Sequence, residues 1–244
     1  RISQYRGRAH EKANAMAMAS LGKLFGLQPT KVSESKVLEV GCGTGANLIS
    51  MALLYPKANF KGVDESEKAI EDARGVAKDL GIKNVRFQHA SIKNYREKSS
   101  HDYVIVPAIY SWMSEDDRTS LLGQIGAALT ENGLAFVSYN TLPGWNMGKT
   151  AREMMLFHTR HFDDTAMKIL EARKMLNFIL ANNKEKESSY SKALEAEVRL
   201  VNKLEDIDFE REYLSEISEP TYFADFLNTA NRHGLKYVGD MDPE

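Results

Sequence analysis

The stretch Val37-Leu-Glu-Val-Gly-Cys-Gly-Thr-Gly45 decides the fold of this chain. An apolar run with a single acid ends in three glycines at alternate positions, which is typical of a buried parallel strand that turns sharply into a helix. Glycine lets the backbone curve tightly and lets a ligand approach the main chain. The helix that follows Gly45 directs its first N–H groups toward the turn. The stretch therefore predicts a ligand pocket at the first strand–helix turn.

Strand and helix patterns alternate through the first half of the chain. The predicted strands are residues 36–40, 58–63, 85–89, 103–106 and 134–139. Helices are predicted between them. Ser66 caps one of these helices, Ser114 and Asp117 form a capping box at another, and Asn132-Gly133 is a turn. Five strands that alternate with helices predict an α/β fold with a doubly wound, mostly parallel sheet.

The remaining segments divide the chain into four parts. Residues 8–25 predict a helix, and residues 146–217 follow helical spacing around a polar loop at 182–188. A helix at 221–233 and a sixth strand at 235–239 come last. The predicted parts are an N-terminal helical segment (1–35), the α/β core (36–145), a helical insertion or cap (146–217) and a return to the core (218–244). The insertion is either a cap over the pocket or a docking surface.

Composition excludes several classes of protein. A net charge of -2 and a pI of about 6.4 argue against nucleic acid as the main partner. The single cysteine allows no internal disulfide, which favours a reducing, cytoplasmic location. Since no apolar run approaches the roughly 20 residues of a membrane span, we expect none. His158 and His161 lack the neighbouring ligands of a metal site, so we expect no metal.

Three features accompany the glycine turn. Glu39 lies two residues before the first glycine, Gly45 tightens the glycine spacing, and Asp64 ends the second strand in Gly-Val-Asp-Glu-Ser. A carboxylate at that strand end can accept hydrogen bonds from both hydroxyls of a ribose. Since the spacing Gly41-x-Gly43-x-x-Ala46 also fits the dinucleotide fingerprint, Asp64 alone does not exclude NAD. Glu39 before the first glycine and Gly45 resemble the pattern of class I methyltransferases, and this resemblance favours S-adenosylmethionine.

With these motifs, residues 36–240 resemble the class I S-adenosylmethionine-dependent methyltransferases. The resemblance implies that the glycine turn lines the methionine and ribose end of the cofactor. The residues concerned are Glu39, Gly41, Cys42, Gly43 and Gly45. No nucleophilic role is expected for Cys42, which lies beside the cofactor as a small packing residue.

The resemblance also assigns the rest of the cofactor site. Asp64, with Glu65 beside it, is expected at the ribose. Ser91 stands where these enzymes usually carry an aspartate that contacts the adenine amino group. In this chain, the Ser91 hydroxyl or the backbone must make that contact instead. Ile92 is expected to pack on the adenine ring, and the backbone of Pro107 and Ala108 to contact the methionine moiety.

A narrower resemblance rests on three further stretches. They are Ile109-Tyr-Ser-Trp112, Ser138-Tyr-Asn-Thr-Leu-Pro-Gly-Trp145 and Glu219-Pro-Thr-Tyr-Phe-Ala-Asp-Phe226. They resemble bacterial methyltransferases that carry a methyltransferase regulatory domain after the catalytic domain. That family includes protein-lysine methyltransferases that act on outer-membrane proteins, which implies a protein substrate. Its members usually have a longer C-terminal region, and class I sheets end in a seventh, antiparallel strand. We therefore expect this chain to be part of a longer protein.

Candidate catalytic residues follow the fourth and fifth strands, where the substrate of such a fold enters. They are Tyr110, Trp112, Tyr139 and Asn140, with Trp145 nearby. A lysine amine has an ordinary pKa of about 10.4 and must lose its proton before it can attack a methyl group. Desolvation against aromatic rings lowers that pKa, and a tyrosine hydroxyl or asparagine carbonyl can orient the neutral amine. The alternative for each of these residues is ordinary packing or a turn.

Other functions stay open at this point. A small-molecule methyltransferase is the main alternative. An NAD-dependent oxidoreductase is less favoured because no Tyr-x-x-x-Lys pair lies near the fifth strand. A DNA amino-methyltransferase usually carries Asp/Asn-Pro-Pro-Tyr where this chain has Val106-Pro-Ala-Ile-Tyr110, and an intact glycine turn argues against a non-catalytic module. The substrate, the methylated atom, the number of methyl groups and the oligomeric state are not determined by the sequence.

Overall fold

The computed structural model describes residues 9, 11–92, 95–98, 100–185 and 187–241. Their backbone contacts define two compact units. The first unit comprises the residues up to Tyr139 together with those from Ala224 onward, and the second runs from Asn140 to Phe223.

The first unit contains a five-stranded sheet. Its strands are β1 (Lys36–Val40), β2 (Asn59–Asp64), β3 (Val85–His89), β4 (His101–Val106) and β5 (Leu129–Val137). The strand order is β3-β2-β1-β4-β5, and every neighbouring pair is parallel. Because the order reverses between β1 and β4, a crevice opens at the carboxyl ends of these two strands. The predicted α/β fold with a mostly parallel sheet is confirmed.

The helices agree closely with the predicted periodicity. They are α1 (Ala15–Leu24), α2 (Ala46–Leu54), α3 (Glu67–Asp79), α4 (Glu115–Ala128), α5 (Asn146–Thr159), α6 (Thr165–Asn182), α7 (Ser189–Lys203), α8 (Asp206–Phe209) and α9 (Phe223–Arg232). The Ser66 hydroxyl accepts from the Ala69 N–H at 3.2 Å, and the Ser114 hydroxyl accepts from the Asp117 N–H at 3.3 Å. Both predicted caps therefore satisfy an otherwise unpaired helical N–H group.

The sheet is covered by apolar side chains on both faces. Alternate strand residues point to opposite sides, which gives two separate cores. One core contains Val37, Phe60, Tyr103 and Ile105, and the other contains Leu38, Val40, Val104 and Val106. The continuous apolar runs predicted from the sequence are explained by this two-sided burial.

The predicted sixth strand is wrong. Residues 235–240 are irregular and pair with none of the described strands. Their apolar side chains serve packing instead: Leu235 packs against one core and Val238 against the other, while Tyr237 is half exposed. An apolar pattern indicates burial, whereas a strand also requires a neighbouring backbone to pair with.

Several element boundaries also differ from the prediction. Among the strands, β4 begins two residues earlier than predicted, and β5 begins five residues earlier and ends two residues earlier. The first described helix begins at Ala15, with Asn14 as its N-cap, whereas residues 8 and 10 of the predicted helix lie outside the described residues. The Asn132-Gly133 turn lies in a bulge of β5, because the pairing jumps from His101 with Leu129 to Tyr103 with Leu134. The predicted helix at 221–233 begins two residues late.

The second unit is mainly helical. It contains α5 to α8, a π-helical turn at Glu210–Leu214, and a short parallel ribbon of β6 (Thr141–Leu142) with β7 (Thr221–Tyr222) that the sequence did not predict. Its core includes Ala151, Met155, Ile169, Ala172, Leu176, Leu194, Val198, Val201, Phe209 and Tyr213. The helical spacing at 146–217 also predicts that Leu170 and Tyr190 are buried, but both are about half exposed.

Candidate active site

The turn after β1 has a backbone that glycine alone adopts readily. Gly41, Gly43 and Gly45 have φ angles of 77°, 52° and 73°. A Cβ atom at Gly41 would lie 2.8 Å from the Ile109 side chain, and one at Gly45 would lie 2.4 Å from the Phe87 ring. A side chain at these positions would therefore be strained or would clash, and with glycine a ligand in the crevice can lie directly against the main chain.

Backbone hydrogen bonds fix the turn to β2. The N–H groups of Gly41 and Cys42 both donate to the Val63 carbonyl, at 2.8 and 3.1 Å, and the Gly45 N–H donates to the Cys42 carbonyl at 2.9 Å. The Cys42 side chain is buried, and burial raises the pKa of its thiol. The thiol is therefore protonated near neutral pH, as a packing residue without a nucleophilic role would be.

Glu39 is a buried acid at the end of β1. Its carboxylate accepts a hydrogen bond of 2.8 Å from the Asn47 amide, which also donates to the Ala13 carbonyl at 2.8 Å. Burial raises the pKa of Glu39 to about 8, the hydrogen bond from Asn47 opposes this shift, and the negative charge of Asp64 adds to it. Asn47 was not predicted as a site residue, and the available signal was a polar side chain in the first turn of α2.

Asp64 connects the end of β2 to the glycine turn. One carboxylate oxygen accepts from the Gly43 N–H at 2.7 Å, and the other accepts from the Ser66 N–H at 2.9 Å. With Glu39, it places two acids around one turn. A carboxylate beside the turn favours a cationic ligand such as S-adenosylmethionine, which carries sulfonium and ammonium groups.

Polar groups also meet beyond Asp64, where β2 and β3 end side by side. The Glu65 carboxylate accepts from the Ser91 hydroxyl and from the Ile92 N–H, each at 3.0 Å. His89 contacts the Glu65 carbonyl through its ring nitrogen at 3.1 Å. Three of the predicted cofactor residues are therefore in mutual contact.

The segment after β4 contains a strained residue. Ala108 has a φ of 58°, in the left-handed region that residues with a Cβ rarely adopt. Its N–H donates to the Ser138 hydroxyl at 2.7 Å, which ties the end of β4 to the end of β5. Such strain is concentrated at functional sites, and here it follows Pro107 at the crevice. Nothing in the sequence indicated the strain.

An aromatic cluster lies at the carboxyl ends of β4 and β5. The rings of Tyr110 and Tyr139 are 5.5 Å apart, and Phe226 of α9 lies 5.4 Å from the first and 4.5 Å from the second. Burial raises the pKa of both tyrosines. The structure thus brings together two of the predicted catalytic residues. Phe226 ends the motif that begins at Glu219, but the motif predicts no role for its ring.

The other predicted catalytic and aromatic residues have contacts of their own. Trp112 is half buried in the 3₁₀ turn Tyr110–Trp112. Asn140 belongs to the second unit, where its amide donates to the Glu212 carboxylate at 3.1 Å, and burial raises the pKa of Glu212. Trp145 stacks on Tyr213 of the same unit at 5.6 Å.

Neither a metal site nor a membrane span is found in the part of the chain that the structure describes. No group of three or more histidine, cysteine or acidic side chains is placed to hold a metal ion. Among the same residues, no helix is both long and apolar enough to cross a membrane.

A doubly wound sheet with this glycine turn, two acids beside it and a crevice at the β1–β4 switch defines a class I methyltransferase fold. The chain belongs to the methyltransferase domain family, whose model matches residues 31–178. It is 38% identical to the uncharacterized protein RP028 of Rickettsia prowazekii over 91% of this chain and 89% of that protein. It is also 36% identical to RP789 of the same organism, over 94% of this chain but 42% of that protein.

The solved structures include a similar protein with a ligand. PKMT2 from Rickettsia typhi in complex with AdoHcy is 37% identical, with a TM-score of 0.86, over 97% of this chain and 46% of that one. The chain therefore spans less than half the length of RP789 and of PKMT2. These comparisons confirm the predicted class and its cofactor, S-adenosylmethionine.

Proposed function

We propose that this chain is an S-adenosylmethionine-dependent methyltransferase that modifies lysine side chains of a protein substrate. The observation that carries the proposal is the pair of acids, Glu39 and Asp64, around a turn in which three glycines have positive φ. The similarity to PKMT2 and the resemblance of the Tyr-Ser-Trp and Tyr-Asn-Thr motifs to protein-lysine methyltransferases both support a protein substrate.

Each cofactor residue is proposed to contact a different chemical group of S-adenosylmethionine. When bound, S-adenosylmethionine supplies an electrophilic methyl group on a positively charged sulfur. Gly41, Gly43 and Gly45 give its methionine end access to the backbone, and Asp64 accepts from the ribose hydroxyls. Glu39 is proposed to lose its proton when the ammonium group lies beside it, because a nearby positive charge lowers the pKa of an acid. The backbone of Pro107 and Ala108 borders the methionine moiety, and Ile92 the adenine.

Tyr110 and Tyr139 are proposed to receive the lysine. Because burial raises the pKa of both phenols, they keep their protons near neutral pH and serve as hydrogen-bond partners rather than as bases. Aromatic surroundings disfavour a charged ammonium, so the lysine amine becomes neutral more readily on entering the site. Asn140, which follows Tyr139 directly in the chain, and Trp112 complete the proposed catalytic set. Most of the rate enhancement then comes from positioning and desolvation.

The test is a transfer assay with methyl-labelled cofactor on purified bacterial outer-membrane proteins. A matched sample in which every lysine has been acetylated serves as the control. The proposal predicts labelled methyl-lysine in the untreated proteins, detected by mass spectrometry, and none in the acetylated ones. Equal label in both samples, or label found only in low-mass metabolites of an added extract, would contradict the lysine assignment and favour a small-molecule substrate.

A further inference from the structure

Glu212 is a partly buried acid that has no role in the proposed function. It lies in the π-helical turn Glu210–Leu214 of the second unit, and π-helical turns are rare and frequently found at functional sites. One carboxylate oxygen of Glu212 accepts from the Asn140 amide at 3.1 Å. Among the described residues, the other oxygen makes no hydrogen bond and no ion pair. That oxygen is therefore able to accept a hydrogen from a donor outside the chain.

The surroundings of Glu212 favour the protonated form of its carboxyl group. Burial raises the pKa of Glu212 most, the hydrogen bond from Asn140 and the positive charge of Arg211 oppose this shift, and the negative charge of Asp208 adds to it. The neighbouring Tyr213 phenol keeps its proton near neutral pH, because burial raises its pKa as well. A carboxylate in such surroundings binds a proton more readily than one in water. Glu212 is therefore suited to take a proton from a group that approaches it.

The proposed reaction requires such a proton acceptor. A lysine side chain has an ordinary pKa of about 10.4 and arrives from water as an ammonium ion. Tyr110 and Tyr139 keep their own protons near neutral pH, so neither phenol takes the proton of the lysine. Asn140 follows Tyr139 in the chain, and its uncharged amide does not titrate. Glu212 is the titratable group to which the Asn140 side chain is hydrogen-bonded.

We infer that the Glu212 carboxylate takes the proton of the lysine ammonium and that Asn140 is the positioning residue that holds this carboxylate. The inference rests on the proposed function, because it requires a lysine substrate. An N–H bond of the ammonium breaks and an O–H bond forms on Glu212, which leaves a neutral amine and a neutral acid. The lone pair of the amine then forms the bond to the methyl carbon while the carbon–sulfur bond breaks, and the electrons of that bond stay on sulfur. The acid afterwards releases its proton to water.

A proton acceptor in the site changes how the transfer rate depends on pH. With Glu212 ionised, the chain uses the ammonium form, which is the main form of lysine below about pH 10, so the rate should change little between pH 7 and pH 9. Without the carboxylate, only the neutral amine already present in water reacts. The fraction of neutral amine rises about tenfold for each pH unit in this range. The pH profile therefore distinguishes a proton acceptor from a residue that only supports the structure.

The experiment measures the initial rate of methyl transfer from labelled cofactor to lysines of purified bacterial outer-membrane proteins by the full chain at pH 7, 8 and 9. Glu212→Gln keeps the hydrogen bond from Asn140 but cannot accept a proton. It should be about a hundredfold or more slower than wild type at pH 7, and this deficit should shrink about tenfold for each pH unit. Asn140→Ala retains the carboxylate, so it should be slower than wild type by the same factor at each pH. Glu216→Gln removes an exposed acid four residues further along the chain and should match wild type throughout.

Titration with S-adenosylhomocysteine shows whether each variant keeps an intact cofactor site. If Glu212→Gln does not bind this ligand, Glu212→Asp takes its place; it keeps a carboxylate and should be slower than wild type without a new pH dependence. A constant ratio of the Glu212→Gln and wild-type rates from pH 7 to pH 9, or a Glu212→Asp rate that rises about tenfold for each pH unit, would overturn the inference and leave the proposed function intact. If the wild-type chain labels no lysine at any of these pH values, the proposed function fails and the inference fails with it.

Discussion

Replacing Glu39 with glutamine is expected to stabilise the folded chain and to weaken its binding of the cofactor. Glutamine has nearly the same shape as a protonated glutamate, and its carbonyl oxygen can still accept from the Asn47 amide that now contacts Glu39 at 2.8 Å. The substitution therefore removes the buried negative charge with little change in packing.

The size of the effect follows from the pKa of Glu39. Burial raises it from 4.5 to about 8, and each pH unit corresponds to about 1.4 kcal/mol, so the charged carboxylate costs the folded state up to about 5 kcal/mol. Between these two pKa values the folded state binds more protons than the unfolded state, so the stability of the wild-type chain falls as pH rises. Below pH 4.5 the free-energy cost of the buried carboxylate vanishes. Above pH 8 this cost reaches its maximum.

The assay is urea unfolding of the wild-type and Glu39→Gln chains without cofactor at pH 6, 7 and 8. The advantage of the variant should grow by roughly 2–3 kcal/mol over this range. Glu67→Gln, at an exposed position, is the control and should show no such trend. If the difference between Glu39→Gln and wild type stays constant from pH 6 to pH 8, Glu39 does not titrate in this range and the reasoning is refuted.

Three further predictions concern the cofactor and substrate sites. Asp64→Ala should weaken S-adenosylmethionine binding about tenfold or more, since a hydrogen bond to a charged group contributes about 1.5–3 kcal/mol, and unchanged affinity in titration would remove Asp64 from the ribose. Tyr139→Phe should lower kcat in the transfer assay without changing cofactor affinity; loss of cofactor binding would exclude a substrate role. Gly45→Ala should lower the free energy of unfolding by at least about 2 kcal/mol in urea, because the φ of Gly45 is 73° and a Cβ atom would lie 2.4 Å from the Phe87 ring. A variant as stable as the wild-type chain would contradict this reasoning.

The sequence predicted those features that depend on local chemistry. All five strands of the sheet were predicted from their sequences, Ser66 and Ser114 cap their helices as expected, and the glycine turn has the positive φ angles that its composition predicts. Most of the candidate cofactor residues were found because they follow strands directly, and parallel strands bring their carboxyl ends to one edge of the sheet.

Features that depend on tertiary context could not be predicted in this way. Ala108 has a positive φ where its N–H donates to Ser138 of a neighbouring segment, and an alanine in the sequence gives no sign of such a backbone. Asn47 contacts a strand residue eight positions earlier and a carbonyl 34 positions earlier, which no periodicity reveals. The apolar segment at 235–239 indicated burial correctly, but whether a strand forms depends on a neighbouring backbone.

Isothermal titration of the wild-type chain with S-adenosylmethionine, and separately with NAD, tests the central claim most directly. The assignment of this site to S-adenosylmethionine predicts that this ligand binds with about micromolar affinity and that NAD does not. Binding of NAD alone, or of neither ligand, would contradict the assignment of this site to S-adenosylmethionine.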